Sequence, residues 1–476
     1  MKVQESVFIQ KKKPLLVKLL DRLLECYPYV SILAMDSKTR DFMVSKRNMR
    51  VGENVRGTSR GFVARVSDGK YYTEYSFNQV SEEILDKICN RIKELVESSN
   101  CVLPEGLKQQ EYQVPLEETM TFTGSTEYEL DPEEMGDDAI LAHLNNIKEK
   151  GLAVSDQILD CQVACSYQKY TKLFLSKEKT MEQSVMWMSG ALFFSAARGE
   201  EIKDYYMPYS TLGGAEMLAK MELDVRTCAE VTLELLKSAP MIPGEYDCVC
   251  TPDVTGMIVH EAFGHGVEMD MFVKKRALAE EYIGEYVASK LVTMHDGASA
   301  ASEVATYFFD DEGTMAHDTI VIEEGILKQG ISDLQSALVL QTQPTGNGRR
   351  ESFRRKAYTR MTNTFFEGGS DTVEEMIASI DYGFLLENPR SGMEDPKNWG
   401  IQCMVNIARE IRDGKLTGKV FSPIVLTGYV PDLLKSISMM SKEVVLCGSG
   451  MCGKGYKEWV KVSDGGPYIK AKIRLG

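Results

Sequence analysis

The chain has 476 residues, a formal net charge of -15 at pH 7 and a hydrophobic content of 43%. This length predicts two or three domains with ordinary globular cores. The negative charge argues against non-specific binding to nucleic acid, which needs a basic surface. No segment approaches about 18 uninterrupted apolar residues, so we expect no membrane span. The 11 cysteines are scattered, which favours a reducing cytoplasm over a disulfide-stabilised secreted protein.

Residues 1–238 are predicted to form an N-terminal α+β domain. Lysines at 11–13 precede a leucine-rich run, but charged residues interrupt this run, so we expect a helix rather than a signal peptide. The leucines between positions 15 and 24 form its apolar stripe, and Pro14 suits its first turn. The other predicted elements are strands at 27–35, 40–45, 61–66 and 71–75, a helix from about 81, an irregular segment at 100–132, a helix at 131–151, two or three antiparallel strands at 157–197 and a helix at 212–236.

Residues 239–476 are predicted to form a second, β-rich domain. A short strand at 246–250 precedes a helix for which Asp253 is a good N-cap. Two hairpins are expected, with turns at 324–325 and 413–414. The predicted fold class is therefore α+β with two domains: an N-terminal antiparallel sheet with helices, and a C-terminal β-rich, barrel-like domain.

The helix after residue 253 carries the pattern H-E-x-x-x-H, formed by His260, Glu261 and His265. Histidine is the commonest metal ligand near neutral pH, and a glutamate beside a metal can accept a proton from water. The common zinc-protease pattern places its histidines at i and i+4, whereas i and i+5 differ by about 140° around a regular helix. We therefore expect a π-bulge, or a helix that loosens at Gly264. Residues 239–476 would then be the metal-binding, catalytic domain.

The third protein ligand is open on this pattern alone. A catalytic zinc site usually has three protein ligands and one open position. Glu268 and Asp270 follow the motif and could bind the metal or orient a histidine. A glycine-rich loop far downstream offers Cys447 and Cys452. The histidines outside the motif have no supporting pattern; they are His143, His295 and His317.

Several ordered segments give the sequence its resemblance to a known family. They are HEAFGHG at 260–266, DDEGT at 310–314, IEEGIL at 322–327, PTGNGRRES at 344–352, RMTNT at 360–364 and CGK at 452–454. With these segments the chain resembles the TldD/PmbA family of metalloproteases, and specifically its TldD branch. The PmbA branch, also called TldE, is a non-catalytic partner without the His-Glu-His set, which this chain retains.

The resemblance implies a function and a set of site residues. His260, His265 and Cys452 would bind zinc, and Glu261 would be the general base. The implied activity is hydrolysis of unfolded or short peptides. The implied assembly is a homodimer, or a heterodimer with a PmbA/TldE-like subunit, that encloses a cavity.

Two other functions remain open. The residue that would stabilise the oxyanion of the transition state together with the zinc is open as well. The chain could be a zinc amidase that acts on modified peptides, or a non-catalytic partner subunit that a metal stabilises. Candidates for the additional donor are Arg349, Arg350 and Asn363, although loop-stabilising hydrogen bonds are the commoner role for such residues.

Overall fold

The structure is a computed structural model that describes residues 1–54, 57–99, 111–455 and 458–476. Its first part has five α-helices and eight strands in the described residues. The helices are α1 Val7–Leu24, α2 Leu85–Ser99, α3 Pro132–Met135, α4 Asp137–Leu152 and α5 Met217–Leu235. The strands are β1 Tyr29–Val44, β2 Met49–Gly52, β3 Ser59–Ser67, β4 Tyr72–Phe77, β5 Met120–Ser125, β6 Ile158–Ser176, β7 Lys179–Arg198 and β8 Glu201–Thr211.

These strands form one eight-stranded sheet in the order β4-β3-β1-β6-β7-β5, with β2 beside β1 and β8 beside β7. All its pairs are antiparallel except β5 with β7. The helices cover one face, on which Ile32 packs with Leu16 of α1 and Phe42 packs with Leu144 of α4. The opposite face packs against residues from the second half of the chain, including Phe309.

Three N-terminal predictions need correction. One strand, β1, spans Tyr29–Val44 where two strands were predicted at 27–35 and 40–45, because β6 pairs with it without interruption from Ser31 to Val44, through its polar middle. Pro14 lies inside α1 rather than in its first turn, because Ser6 caps the helix eight residues earlier. The segment predicted as irregular at 100–132 contains β5, and residues 100–110 lie outside the described residues.

The second part has five α-helices and seventeen strands in the described residues. The helices are α6 Pro252–Val259, α7 Met269–Val273, α8 Leu334–Leu340, α9 Val373–Ala378 and α10 Val430–Lys435. The strands are β9 Gly244–Cys250, β10 Met294–Asp296, β11 Thr319–Glu323, β12 Ile326–Leu327, β13 Gly348–Arg349, β14 Tyr358–Thr359, β15 Asn363–Phe366, β16 Tyr382–Asp395, β17 Gly400–Arg412, β18 Lys415–Phe421, β19 Ile424–Tyr429, β20 Met439–Met440, β21 Val445–Cys447, β22 Met451–Lys454, β23 Glu458–Lys461, β24 Ser463–Gly466 and β25 Ile469–Leu475.

Five of these strands close into a barrel in the order β9-β25-β19-β17-β16, with β16 returning to pair with β9. The predicted α+β class, with a barrel-like C-terminal part, is therefore confirmed. Helix α6 packs between the barrel and a second sheet of order β12-β11-β10-β15-β24-β21. A Cβ atom on Gly256 of α6 would lie 2.6 Å from the backbone nitrogen of Gly465. Glycine therefore permits the close approach of α6 to β24.

Both predicted hairpins are confirmed: β11 and β12 turn at Glu324-Gly325, and β17 and β18 turn at Asp413-Gly414. The predicted N-cap of α6 is wrong by two residues, since Thr251 is the N-cap and Asp253 lies in the first turn. The predicted domain boundary between residues 238 and 239 falls in the connection from α5 to β9 and stays a prediction. Among the described residues, none of the helices has the length and apolar character that a bilayer span requires.

A buried ion-pair network joins the large sheet to the second half of the chain. Glu74 of β4 lies 2.8 Å from the Arg65 guanidinium and 2.9 Å from that of Arg350. Arg65 also contacts Glu312, at 2.5 Å. Burial alone would raise the pKa of Glu74, but Arg350 and Arg65 outweigh it and lower this pKa. The network therefore stabilises the folded state while Glu74 is ionised.

We expect Glu74→Ala to lower the free energy of unfolding by about 3–5 kcal/mol at neutral pH, because the buried Arg350 loses its carboxylate partner while Arg65 keeps Glu312. The pKa of Glu74 is lowered in the folded state, so this contribution is present above the unfolded pKa of about 4.3 and is lost as the pH falls below it. Urea unfolding of both proteins across this pH range measures the difference. Glu94→Gln, which alters an exposed pair with Arg91, is the control and should change stability by less than about 0.5 kcal/mol.

Candidate metal centre

The motif histidines lie where α6 changes its winding. Residues His260–Gly264 form a π-helical turn, in which the N–H of His265 donates a hydrogen bond to the carbonyl oxygen of His260. This turn contains one more residue than an α-helical turn. Both imidazoles consequently lie on the same side, with ring centroids 5.1 Å apart. The distortion expected from the i, i+5 spacing is confirmed.

Gly264 serves this turn through its size rather than its conformational freedom. Its φ of -59° and ψ of -54° are ordinary helical values. A Cβ atom at this position would overlap with the sulfur of Met361, whose side chain is fully buried. The expectation that Gly264 permits unusual backbone angles is therefore wrong, and close packing is the reason for glycine here.

Cys452 reaches the histidines from strand β22. Its Sγ atom lies 3.4 Å from Nε2 of His265, and one potential ligand atom from each of His260, His265 and Cys452 lies within 4.8 Å of the other two. Arg360 holds this strand in place by donating to the carbonyl oxygens of Cys452 at 2.6 Å and Glu458 at 3.1 Å. Cys447 lies outside the group and contacts the hydroxyl of Ser210.

Carboxylates contact the outward nitrogen atoms of both imidazoles. Glu268 lies 3.1 Å from Nδ1 of His265, and Asp464 lies 3.4 Å from Nδ1 of His260. The Asp464 contact lacks hydrogen-bond geometry, so this buried Nδ1 atom has no hydrogen-bond partner among the described residues. Lys454 pairs with Glu268 at 3.0 Å and with Asp270 at 2.6 Å. Of the two acidic residues after the motif, Glu268 therefore orients a histidine and Asp270 pairs with a lysine.

The three converging side chains strongly affect one another's ionisation. Burial alone would raise the pKa of the Cys452 thiol, but His265 and His260 outweigh it and lower this pKa well below its usual value. Burial would lower the pKa of His265, yet Cys452 and Glu268 raise it to about 10. Without a metal, the group therefore favours a thiolate beside a protonated imidazole.

Glu261 is half-buried and lies against strand β16. A Cβ atom at Gly392 would overlap with the Glu261 side chain, so glycine at position 392 leaves room for the carboxylate. Burial raises the pKa of Glu261, and the two imidazoles lower it by a smaller amount. A carboxylate with a raised pKa is a stronger base than a free carboxylate, and it can accept a proton at any pH that keeps it ionised.

Most of the other sequence candidates have structural partners. Arg349 donates to the carbonyl oxygens of Met361 and Lys461, and Arg350 pairs with Glu74. Asn363 donates to the carbonyl oxygens of residues 297 and 301. His295 contacts Asp318 and Glu367. None of His143, His295 and His317 belongs to the converging group in the described part of the chain.

Sequence reasoning missed four residues around the centre. Arg360, Lys454 and Asp464 contact the ligand candidates or their carboxylate partners, as described above. Glu394 lines a cavity next to His265, and burial raises the pKa of its carboxyl group to about 9. Lys454 and Arg360 lie within the segments that carry the family resemblance, so that resemblance was the available signal. Asp464 and Glu394 are brought near by tertiary structure and have no local signal.

Comparison with known proteins places the chain in a family. A family model described as the PmbA/TldA metallopeptidase C-terminal domain matches residues 243–474. A metalloprotease from Methanocaldococcus jannaschii is 26% identical over 467 residues, which are 95% of this chain and 97% of that protein. The chain belongs to the TldD/PmbA family. A zinc metalloprotease TldD homologue from Saccharolobus solfataricus is 30% identical over 249 residues, 51% of this chain and 54% of that protein.

Solved structures of other proteins share the fold. A protein from Thermotoga maritima, described as a modulator of a DNA gyrase, superposes with a TM-score of 0.76 at 16% identity and covers 97% of this chain and 100% of its own. TldE from Thermococcus kodakarensis superposes with a TM-score of 0.72 at 16% identity, and covers 97% of this chain and 99% of its own. At this level of identity the similarity concerns the fold.

We expect the metal-free protein to contain one thiolate that persists well below the ordinary thiol pKa of about 8.5, because the imidazoles stabilise the charged form of Cys452. A pH titration of the ultraviolet thiolate absorbance measures it. Cys452→Ser should remove this step, whereas Cys250→Ser should keep it, since burial raises the pKa of Cys250. A wild-type titration without thiolate absorbance below the ordinary thiol pKa would contradict the lowered pKa of Cys452.

Proposed function

We propose that the protein is a zinc-dependent metallopeptidase of the TldD branch. His260, His265 and Cys452 would hold the metal, and Glu261 would be the general base. The observation that carries the proposal is the approach of two imidazoles and one thiol to within 4.8 Å of one another beside a half-buried glutamate. The family membership and the metalloprotease names of the relatives support it.

The donor set fits zinc better than a hard cation. Two nitrogen atoms and one sulfur atom are soft or borderline ligands, which zinc prefers and which magnesium and calcium do not. Three protein ligands also leave a fourth position for water or substrate, as in catalytic zinc sites. The buried Nδ1 atom of His260 has the Asp464 carboxylate 3.4 Å away, and a carboxylate near this nitrogen suits a histidine whose other nitrogen binds a metal. A bound zinc ion would supply Lewis acidity toward a water molecule and a peptide carbonyl oxygen.

The chain's own residues then have separate tasks. Glu261 accepts the proton of the attacking water and returns it to the departing amine, which is the usual dual role of a positioned base. Glu268 fixes the ring orientation of His265, and Lys454 in turn holds Glu268. Arg360 fixes the backbone at Cys452. These contacts hold the site in a defined geometry before substrate arrives.

Unfolded or short peptides are the proposed substrates. In the described part of the chain, strand β22, which carries Cys452, pairs only with β23, so a peptide could add as a further strand. Main-chain hydrogen bonds would then provide much of the affinity. Turnover should change little when side chains of a good peptide substrate are replaced. Strong dependence on a single side chain would count against strand addition.

Two rival functions share part of this chemistry. A zinc amidase that acts on modified peptides would use the same residues, and a panel of unfolded and modified peptides with added zinc separates it from a peptidase. A non-catalytic, metal-stabilised partner subunit would need the three ligands without a base. The position of Glu261 beside them favours catalysis.

We expect Glu261→Gln to retain zinc while hydrolysis falls by about 10²–10⁴-fold, because the amide cannot accept the proton. Metal analysis and peptide turnover of the same preparations measure both quantities. Glu374→Gln, on the exposed side of α9, should leave both unchanged. Full activity in Glu261→Gln would exclude Glu261 as the base, and loss of zinc would instead assign it a role in metal binding.

We further propose that the protein works in the cytoplasm as a homodimer or as a heterodimer with a TldE-like subunit. The free state of all cysteines in the described residues supports a reducing compartment, and cell fractionation tests it. The fold shared with TldE is compatible with pairing between related subunits.

Sedimentation of the purified chain should therefore give about twice its 53.3 kDa mass, or should do so once a TldE-like subunit is added. A species that stays monomeric under both conditions would contradict the proposed assembly.

A further inference from the structure

A second cavity lies on the other side of the hairpin that carries Cys452. Its volume is about 440 Å³, within the range of about 300–1,000 Å³ that is usual for ligand sites. One wall is the helix-free face of the large sheet, which contributes Tyr170 and Trp187. The opposite wall includes Met451 and Lys461, which are paired across β22 and β23. The cavity and the metal centre thus share one hairpin.

Lys461 has an unusual environment in this cavity. Its side chain is only 6% exposed, and its ammonium group donates to the hydroxyl of Ser189 at 3.2 Å and the carbonyl oxygen of Ser449 at 3.1 Å. It also lies 4.7 Å from the centre of the Trp187 ring. Among the described residues, no carboxylate lies within 4.0 Å of this ammonium group. A buried charge without a counter-charge is costly, and burial lowers the pKa of Lys461 to about 8.

Arg349 is a second cation on the same wall, and its contacts are also with neutral groups. Its guanidinium donates to the carbonyl oxygens of Met361 and Lys461, both at 2.6 Å, and lies 5.4 Å from the centre of the Tyr307 ring. Within the described residues it has no carboxylate at ion-pair distance. Lys461 and Arg349 are thus both held by neutral groups at hydrogen-bond distance, while Glu303 acts on Lys461 from beyond ion-pair distance.

Several of the other charged groups that line the cavity have partners of their own. Lys172 pairs with Asp311 at 2.5 Å, and Asp36 pairs with Arg60 at 2.8 Å. Glu351 accepts a hydrogen bond from the backbone nitrogen of Trp459. These contacts leave Lys461 and Arg349 as the cations that a ligand could neutralise. Two further carboxyl groups, Asp41 and Asp310, line the cavity, and burial raises the pKa of both.

We propose that this cavity binds the free C-terminal carboxylate of a peptide at Lys461, with Arg349 as the second cation. The proposal rests on the proposed function, because every peptide substrate with a free end carries this carboxylate. The aromatic and hydroxyl groups around Lys461 suit the remainder of a terminal residue, since they offer apolar surface together with hydrogen-bonding groups. Substrates with a free C-terminus would consequently be preferred over substrates with a blocked one.

The test compares three forms of one peptide: the free acid, the C-terminal amide, and an amide that carries an aspartate near its N-terminus. Binding to zinc-loaded Glu261→Gln protein is measured by calorimetry and by tryptophan fluorescence, so the readout does not require hydrolysis. We expect the free acid to bind about 10-fold or more tightly than either amide, the usual value of a charge-assisted hydrogen bond. Equal binding of the free acid and the plain amide would overturn the proposal, and equal binding of the free acid and the aspartate peptide would show that any carboxylate suffices.

Lys461→Met should reduce the preference for the free acid to less than about twofold, because the methionine keeps the apolar stem and removes the charge. The matched control is Lys472→Met, which alters an exposed lysine on β25 and should keep the full preference. If Lys461→Met does not fold, Trp187→Phe provides a second test, since it should reduce the fluorescence change on binding of the free acid and leave only the contribution of Trp459, and an undiminished change would overturn the assignment. A preference that survives in Lys461→Met would overturn the assignment.

The outcomes of this test separate the two proposals. If the free-acid preference is found but no variant or condition shows hydrolysis, the carboxylate site stands and the peptidase function fails. If Glu261-dependent hydrolysis is found without the preference, the peptidase function stands and the carboxylate site fails.

Discussion

The hydrogen bond from the N–H of His265 to the carbonyl oxygen of His260 is the constraint on which the metal centre depends. In a regular α-helix the two side chains would diverge by about 140°, and no third group could reach both. The π-helical turn contains one extra residue and so brings both side chains to the same side of the helix. Close packing supports the turn, because Gly264 lies directly against the buried Met361.

The rest of the C-terminal half holds this turn and Cys452 together. Helix α6 is fixed between the barrel and the second sheet, and the close approach of Gly256 to β24 also brings Asp464 to His260. The hairpin of β22 and β23 is fixed by Arg360, which is 1% exposed. The centre is therefore assembled from segments that are almost two hundred residues apart and has little freedom to move.

The large N-terminal sheet contributes to the same region from the other side. Its helix-covered face provides a conventional core, while its helix-free face meets the second half through Phe309 and the ion pairs of Arg65 and Glu74. The cavity that contains Lys461 lies within this junction. The candidate metal centre and the junction thus share the hairpin of β22 and β23.

The sequence alone determined the α+β class, both hairpin turns and the distorted turn between His260 and His265, because these depend on local spacing and on turn residues. It also named Cys452, through the resemblance of the C-G-K segment to a family pattern. Local patterns could not show that β1 is continuous, since its uninterrupted pairing with β6 outweighs its polar middle. Only the tertiary structure decided the positions of Asp464, Arg360, Glu394 and Lys461. Contacts between residues far apart in the sequence bury these charged groups, and such contacts leave no periodic pattern in the chain.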